Sequence, residues 1–377
     1  MSVRILTGDC IERLTSLADE SVNCVVTSPP YFGLRSYLPD DHPDKAREIG
    51  LEPTPGEFVE AMVTVFREVR RVLRDDGTVW LNLGDSYAGS GRGGNVGDTS
   101  GLQGSTEGQE ECKRAHQRGS KLPAGLHERA RKSGAVGRAW VPAPKGLKQK
   151  DLIGIPWMVA FALRDDGWYL RSAIIWAKPN GMPGSQDDRP TSSYEFIFLL
   201  SKSRRYWSDF DAIKTPPRES TLMRLAQDTQ AQAGSHRANG GGKTNGPMKA
   251  VASGGGQTDK QRGHGRQHAG FNARWDAMSK DKQQSSPAMI RDVWFVPPGG
   301  FAGAHFAVMP DEIARRCIVA GCPEGGVVLD PCGGAGTTAL VADRFGRDAV
   351  MIELHPANVE LARKRIKDEA PLLAEVA

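Results

Sequence analysis

What this chain lacks narrows its chemistry first. Its six cysteines (Cys10, Cys24, Cys112, Cys317, Cys322 and Cys332) form no C-x-x-C pair and have no histidine at structural-zinc spacing. A metal centre is therefore not expected, and the thiols read as small buried hydrophobes. No apolar run approaches the roughly 18 residues of a membrane span. The opening Met1-Ser2-Val3-Arg4-Ile5-Leu6 is too short, and too soon interrupted by Gly8-Asp9, to act as a signal peptide, so a cytoplasmic protein is expected. No internal repeat occurs. Between 226 and 270 only Met248 and Val251 offer apolar side chains larger than alanine, among eleven glycines, so that stretch cannot build a core alone.

What is present is ordinary in bulk and uneven in detail. A chain of 377 residues, 39% hydrophobic and 25% charged, suits one large domain with an insertion or two modest ones. Charge is clustered. Cys112 to Lys150 holds eleven Lys or Arg against the single acid Glu128, and Lys214 to Arg291 holds thirteen against five. The net charges of +10 and +8 leave the rest of a +4 chain at −14. Such basic stretches are what a polyanion-binding surface requires, although solvated loops would carry them equally well.

Periodicity predicts alternating strands and helices, hence a mostly parallel sheet covered on both faces. Strands are expected at 3–6, 22–27, 78–83, 172–178, 195–201, 327–330 and 349–353. Phe58, Met62, Val65, Phe66, Val69, Val72 and Leu73 recur at helical spacing, and Asp75-Asp76-Gly77 is expected to stop that helix with a turn. Further helices are expected at 155–164, 310–321, from 336 and at 356–367, with a long Gly-rich basic insertion at about 88–150.

Two segments carry chemistry. In the first, Val327-Val328-Leu329-Asp330 runs into Pro331-Cys332-Gly333-Gly334-Ala335-Gly336-Thr337-Thr338, a strand entering a glycine turn and then a helix, which brings backbone amides close to a ligand. Asp330 at the strand end suits a ligand bearing an ammonium rather than a pyrophosphate. Glu353, 23 positions on, ends the next strand, where a carboxylate accepts ribose hydroxyls or caps a helix. The second segment is Val25-Val26-Thr27-Ser28-Pro29-Pro30-Tyr31. Its paired prolines fix φ and remove N–H donors, leaving the Pro29 carbonyl and the Ser28 hydroxyl free to accept. Alone, it would also serve as an extended turn.

Together these motifs resemble those of S-adenosylmethionine-dependent DNA amino-methyltransferases. D-P-x-x-G-x-G-T-T followed by an acidic strand end is similar to the family's cofactor motif, with Cys332 where Phe is usual and Ala335 where Ser is common. His305-Phe306-Ala307-Val308-Met309-Pro310 is a partial match to a second cofactor-lining motif, although His305 would also fit as an ordinary loop histidine. Asn82-Leu83-Gly84-Asp85, Ile175-Trp176-Ala177-Lys178-Pro179-Asn180 and Ser193-Tyr194-Glu195 look like the family too. The catalytic motif preceding the cofactor motif resembles the beta class. That implies a Rossmann-like methyltransferase fold with a circularly permuted, mostly parallel seven-stranded sheet, helices on both faces and a small basic target-recognition region. The implied layout is a catalytic part at 1–214, a recognition region at 215–299 and a cofactor-binding part at 300–377.

The resemblance also implies roles. S-adenosylmethionine would be held by Asp9, His305, Phe306, Asp330, Pro331, Cys332, Gly333, Gly334, Gly336, Thr337, Thr338 and Glu353, with Asp9 equally able to cap the helix that follows it. Ser28, Pro29, Pro30 and Tyr31 would be catalytic. An exocyclic amine is a poor nucleophile because its lone pair is delocalised, so acceptors must hold its hydrogens while the lone pair turns to the methyl. Tyr31 would offer a face on which a base flipped out of double-stranded DNA stacks. Ser at the first motif position leans to cytosine N4, with adenine N6 the alternative. A DNA-binding protein without catalysis, and methylation of RNA or of a small molecule, are the other readings. The basic segments argue against a small substrate. Arg274-Trp275 is a candidate base-reading pair. A cognate restriction endonuclease, and a monomer or homodimer state, stay open. Pro331-Cys332 is not the nucleophilic pair of ring-carbon methyltransferases, because it lies in the glycine turn rather than the catalytic loop.

Overall fold

The apolar runs build one twisted sheet between two helical layers. The computed structural model describes residues 2–33, 36–39, 41–89, 146–181, 188–214, 223, 290–299, 308–369 and 375–376. The chain divides into two units, Met1–Asp209 with Asp292–Ala377, and Phe210–Arg291. The described part of the second unit includes a 3₁₀ turn at Asp211–Ile213. The sheet belongs to the first.

Its strands are β1 (Ser2–Thr7), β2 (Val22–Thr27), β3 (Leu73–Leu83), β4 (Tyr169–Ala177), β5 (Tyr194–Ser201), β6 (Val293–Phe295), β7 (Val327–Asp330), β8 (Asp348–Glu353) and β9 (Glu375–Val376). They lie in the order β6-β4-β5-β3-β2-β7-β8-β1-β9. The expected seven strands form its body, and among the described residues the short β6 and β9 extend the two edges to nine. Among the described residues only β5 runs against its neighbours, β3 and β4. The first strand pairs in parallel with β8 near the chain's other end, Val3 opposite Ala349 and Thr7 opposite Glu353, so both ends of the sequence share one sheet.

Helix α2 (Pro55–Val72) packs against both α1 (Cys10–Thr15) and α3 (Ile155–Asp165), and α5 (Thr337–Arg344) against both α4 (Asp311–Gly321) and α6 (Pro356–Glu369). Helix α2 shows why the local sequence folds this way. Thr54 and Glu57 form a reciprocal capping box, Pro55 starts the first turn, and Phe58, Met62, Val65, Phe66, Val69 and Val72 bury one stripe. Each such side chain contributes roughly 1.5–3 kcal/mol by leaving water. The expected turn at Asp75-Asp76-Gly77 is instead a bulge within β3, because Val22 pairs with Leu73 while Cys24 pairs with Thr78. The looped-out backbone finds partners: Trp207 N donates to Asp76 O at 2.8 Å and Lys202 Nζ to Leu73 O at 3.0 Å.

The connections β2–α2–β3 and β7–α5–β8 leave in opposite directions from adjacent parallel strands, with Cys24 opposite Val328 and Val25 opposite Leu329. A crevice opens at the carboxyl ends of strands at such a reversal. Among the described residues no helix is long and apolar enough to cross a membrane, and no group of three or more His, Cys, Asp or Glu is placed to hold a metal ion.

Candidate active site

That crevice is a cleft that receives residues from four strand ends. Ser28 and Pro30 reach it from β2, Pro331, Cys332 and Gly334 from β7, Glu353 from β8, and Gly8, Asp9 and Cys10 from β1. Two motifs some three hundred positions apart in sequence thus line one space because β2 and β7 are neighbours in register.

The glycine turn is held from behind. Glu353 accepts from Gly334 N at 2.8 Å through Oε2, and from His355 N at 2.8 Å and Asn358 Nδ2 at 3.2 Å through Oε1. One carboxylate therefore fixes both the turn and the entry to α6, while its residue also lines the cleft. Gly336 sits at φ +77°, and a β-carbon there would meet Ala362 Cβ at 2.8 Å, so glycine is required on both counts. Asp330 is buried beneath the turn and accepts from Cys332 N at 3.1 Å. Burial raises its carboxyl from 3.8 to about 6. Burial likewise holds the Cys332 thiol well above its ordinary range, which suits a packing role rather than a nucleophile. Thr337 and Thr338 turn inward: Thr338 Oγ1 donates to Val26 O at 3.2 Å and Thr337 Oγ1 accepts from Arg365 at 3.1 Å. Those two hydroxyls, with Gly333 against Met351, brace the turn rather than line the cleft. Asp9 caps α1, accepting from Glu12 N at 3.0 Å, and also lines the cleft.

The Ser-Pro-Pro-Tyr corner is equally anchored. Pro29 is buried, and Phe32 packs its ring 5.8 Å from that of Phe58 on α2. Ser28 Oγ donates to Tyr31 Oη at 3.4 Å, and Tyr31 Oη donates to Glu195 Oε2 at 2.6 Å. Glu195 also takes Asn82 Nδ2 at 3.1 Å and pairs with Lys178. Burial first, and then the Glu195 charge, hold the Tyr31 phenol well above its ordinary range, so it remains a donor. Its ring edge is seated against Gly84. Asp85, next in the chain, accepts from Gly154 N and Ile155 N at 3.0 and 3.1 Å and so caps α3.

No sequence pattern marks the cleft's outer wall, formed by Tyr37, Leu38, Arg47, Glu48 and Ile49. These sit in an aperiodic polar stretch organised by one buried carboxylate. Glu48 accepts from Lys45 at 2.9 Å and from the backbone N–H groups of Tyr37 and Leu38. Arg47 pairs with Glu12 at 2.9 Å, tying this wall to α1. Asn82, Lys178 and Glu195 were marked only by family likeness, with no role attached. His305, Phe306, the Arg274-Trp275 pair and most of the 88–150 and 215–299 segments lie outside the described residues.

A profile of the DNA methylase family matches residues 22–364. The Type II methyltransferase M.SmaI of Serratia marcescens is 35% identical over 365 residues, which span 97% of this chain and 91% of that protein. The Type II methyltransferase M.Cfr9I of Citrobacter freundii is 36% identical over 366 residues, spanning 97% and 88%. Among solved structures, the PvuII DNA methyltransferase (cytosine-N4-specific) has the same fold, with a TM-score of 0.53 at 14% identity over 98% of this chain and 91% of that one.

Proposed function

Since this chain belongs to the DNA methylase family of S-adenosylmethionine-dependent amino-methyltransferases, we propose that it methylates the 4-amino group of a cytosine flipped out of duplex DNA. The observation that carries this reading is the single cleft shared by Ser28 and Pro30 with Pro331, Cys332, Gly334 and Glu353.

The residues fit the cofactor. Asp330 is a buried carboxyl whose own chain leaves its charge poorly compensated, and a ligand ammonium would supply the counter-charge. Glu353 and Asp9 place carboxylates at neighbouring strand ends, where ribose hydroxyls and an adenine amine would find acceptors. When bound, S-adenosylmethionine supplies an electrophilic methyl on sulfur. The chain's part is to hold and orient the amine: Ser28 Oγ and the Pro29 carbonyl accept its hydrogens, the prolines keep that corner rigid, and Tyr31 stands beside it. The two basic segments, +10 and +8, would neutralise phosphates along the duplex.

Ser28 favours cytosine over adenine by its resemblance to the family's Ser variant, although both bases present an amine beside a ring nitrogen. Adenine N6 is therefore the second reading. The deciding experiment incubates mixed-sequence DNA with protein and labelled S-adenosylmethionine, digests it to nucleosides and identifies the labelled one. N4-methyl-2′-deoxycytidine supports the first reading, N6-methyl-2′-deoxyadenosine the second, and no label defeats both.

A further inference from the structure

The hydrogen-bond chain behind the catalytic corner ends on a carboxylate that touches neither a flipped base nor a cofactor in the reading above. Ser28 Oγ donates to Tyr31 Oη, and Tyr31 Oη donates to Glu195 Oε2 at 2.6 Å. Tyr31 Oη also lies 3.2 Å from Asn82 Oδ1, but Glu195 is the nearer acceptor, and Ser28 itself lines the cleft. Glu195 is held in place from two other strands, by Asn82 Nδ2 of β3 and by Lys178 Nζ at the end of β4. Asn82 is itself fixed by a second bond, to Phe196 O at 3.0 Å.

We propose that Ser28, Tyr31 and Glu195 form a proton wire that drains the proton released by the target amine, with Asn82 and Lys178 as positioning residues. The proposal rests on the amino-methyltransferase reading. As the amine lone pair forms the new N–C bond, the C–S bond breaks with its electron pair left on sulfur, and the nitrogen then carries one proton too many. That proton passes to Ser28 Oγ, the Ser28 hydroxyl proton to Tyr31 Oη, and the Tyr31 proton to Glu195 Oε2. The net result is a neutral methylated amine, an unchanged serine and tyrosine, and a protonated Glu195. The Glu195 side chain keeps 15% of its surface exposed, which gives the proton a way out to solvent.

Three features favour a wire over a purely structural bond. A base seated on the corner displaces water from it, so the direct path to bulk solvent closes when the proton must leave. The phenol is held protonated by burial and by Glu195, so the wire is loaded in the correct sense before each turnover. Of the charged and titratable groups facing the wire, Lys178 pairs with Glu195, and Tyr37 contributes only a weak further influence on Tyr31. A buried tyrosine hydroxyl needs an acceptor, which a neutral group can supply. This one has its hydroxyl aimed at a carboxylate contributed by a strand 164 positions away.

The test uses the full chain with Tyr31→Phe and Glu195→Gln. Single-turnover methyl transfer is measured in H₂O and D₂O, beside the Kd for S-adenosylmethionine, the Kd for DNA and the melting temperature. The wire predicts that Tyr31→Phe, which keeps the ring, lowers the transfer rate on the order of 10²-fold while both Kd values stay within about twofold. It also predicts that the wild-type solvent isotope effect disappears in both variants. Rates and isotope effects equal to wild type in both variants would overturn the wire alone. Absence of transfer by the wild-type protein on any DNA would overturn the amino-methyltransferase reading, and the wire with it.

Discussion

Tyr31 and Gly84 are in such close contact that a β-carbon on Gly84 would lie 2.5 Å from Tyr31 Cε2. The ring cannot swing aside cheaply, because its hydroxyl is tied to Glu195. Gly84→Ala is therefore expected to displace the ring and destabilise the fold by about 1–3 kcal/mol. Methyl transfer should fall at least tenfold while S-adenosylmethionine still binds. Gly56→Ala serves as the control. It meets nothing nearer than Thr54 Oγ1 at 3.9 Å, so melting and turnover should be unharmed. Thermal denaturation and a transfer assay on both variants check this.

Ser28→Ala removes the hydroxyl that lines the cleft and leaves Pro29 and Pro30 in place. Loss of one oriented acceptor at a reacting centre lowers rate by about 10²- to 10³-fold. Cofactor affinity, measured calorimetrically, should remain within about twofold, because Ser28 makes no bond to the glycine turn. Equal losses in affinity and rate would instead place Ser28 in cofactor binding.

The body of the fold was legible because its strands are short, apolar and bounded by turn residues, and its helices carry clear stripes such as Phe58 to Val72. The two motifs were legible for the same reason, since each is a strand end followed by glycine or proline. The bulge at Asp75-Asp76-Gly77 was not. Turn chemistry reads the same whether the chain reverses or loops out of a strand, and only pairing with Val22 and Cys24 decides it. Nor was the wall from Tyr37 to Ile49, whose order comes from Glu48 and Lys45 rather than from any period. Glu195 carried a family likeness in the sequence but no role. Its bond to Tyr31 depends on β5 returning antiparallel beside β3, with Phe196 opposite Leu83, a pairing no local pattern encodes.

Glu48 offers a test of that wall. Its carboxylate is almost fully buried and serves Lys45 and two backbone donors at once. Glu48→Gln would turn an N–H toward groups that need an acceptor, a loss of about 1–2 kcal/mol. Since Tyr37, Leu38 and Ile49 line the cleft beside Glu48, the loss should appear mainly as a cofactor Kd raised about 5- to 30-fold. Titration calorimetry on the variant measures it. An unchanged Kd would show that this wall does not touch the cofactor.

Asp330 should make both stability and cofactor affinity depend on pH, in opposite senses. Burial raises its folded pKa to about 6 from an ordinary 3.8, with the Thr27 and Thr338 hydroxyls and then the Cys332 N–H opposing but not offsetting it. Between those two values the folded protein without ligand holds a proton that the unfolded chain has released. Its contribution to stability is therefore full below about pH 4, falls as pH rises to about 6, and is level above. A bound ammonium reverses the preference, because it needs the ionised carboxylate. Affinity for S-adenosylmethionine should thus weaken as pH drops below about 6, by up to tenfold per pH unit for a single linked proton. Asp330→Asn should flatten both dependences and bind the cofactor more weakly at pH 7.5. Calorimetry and thermal melts from pH 5 to 8 on the two proteins separate the effects. If the cofactor's ammonium is met elsewhere, the wild-type affinity will stay flat through pH 6 while the stability trend persists.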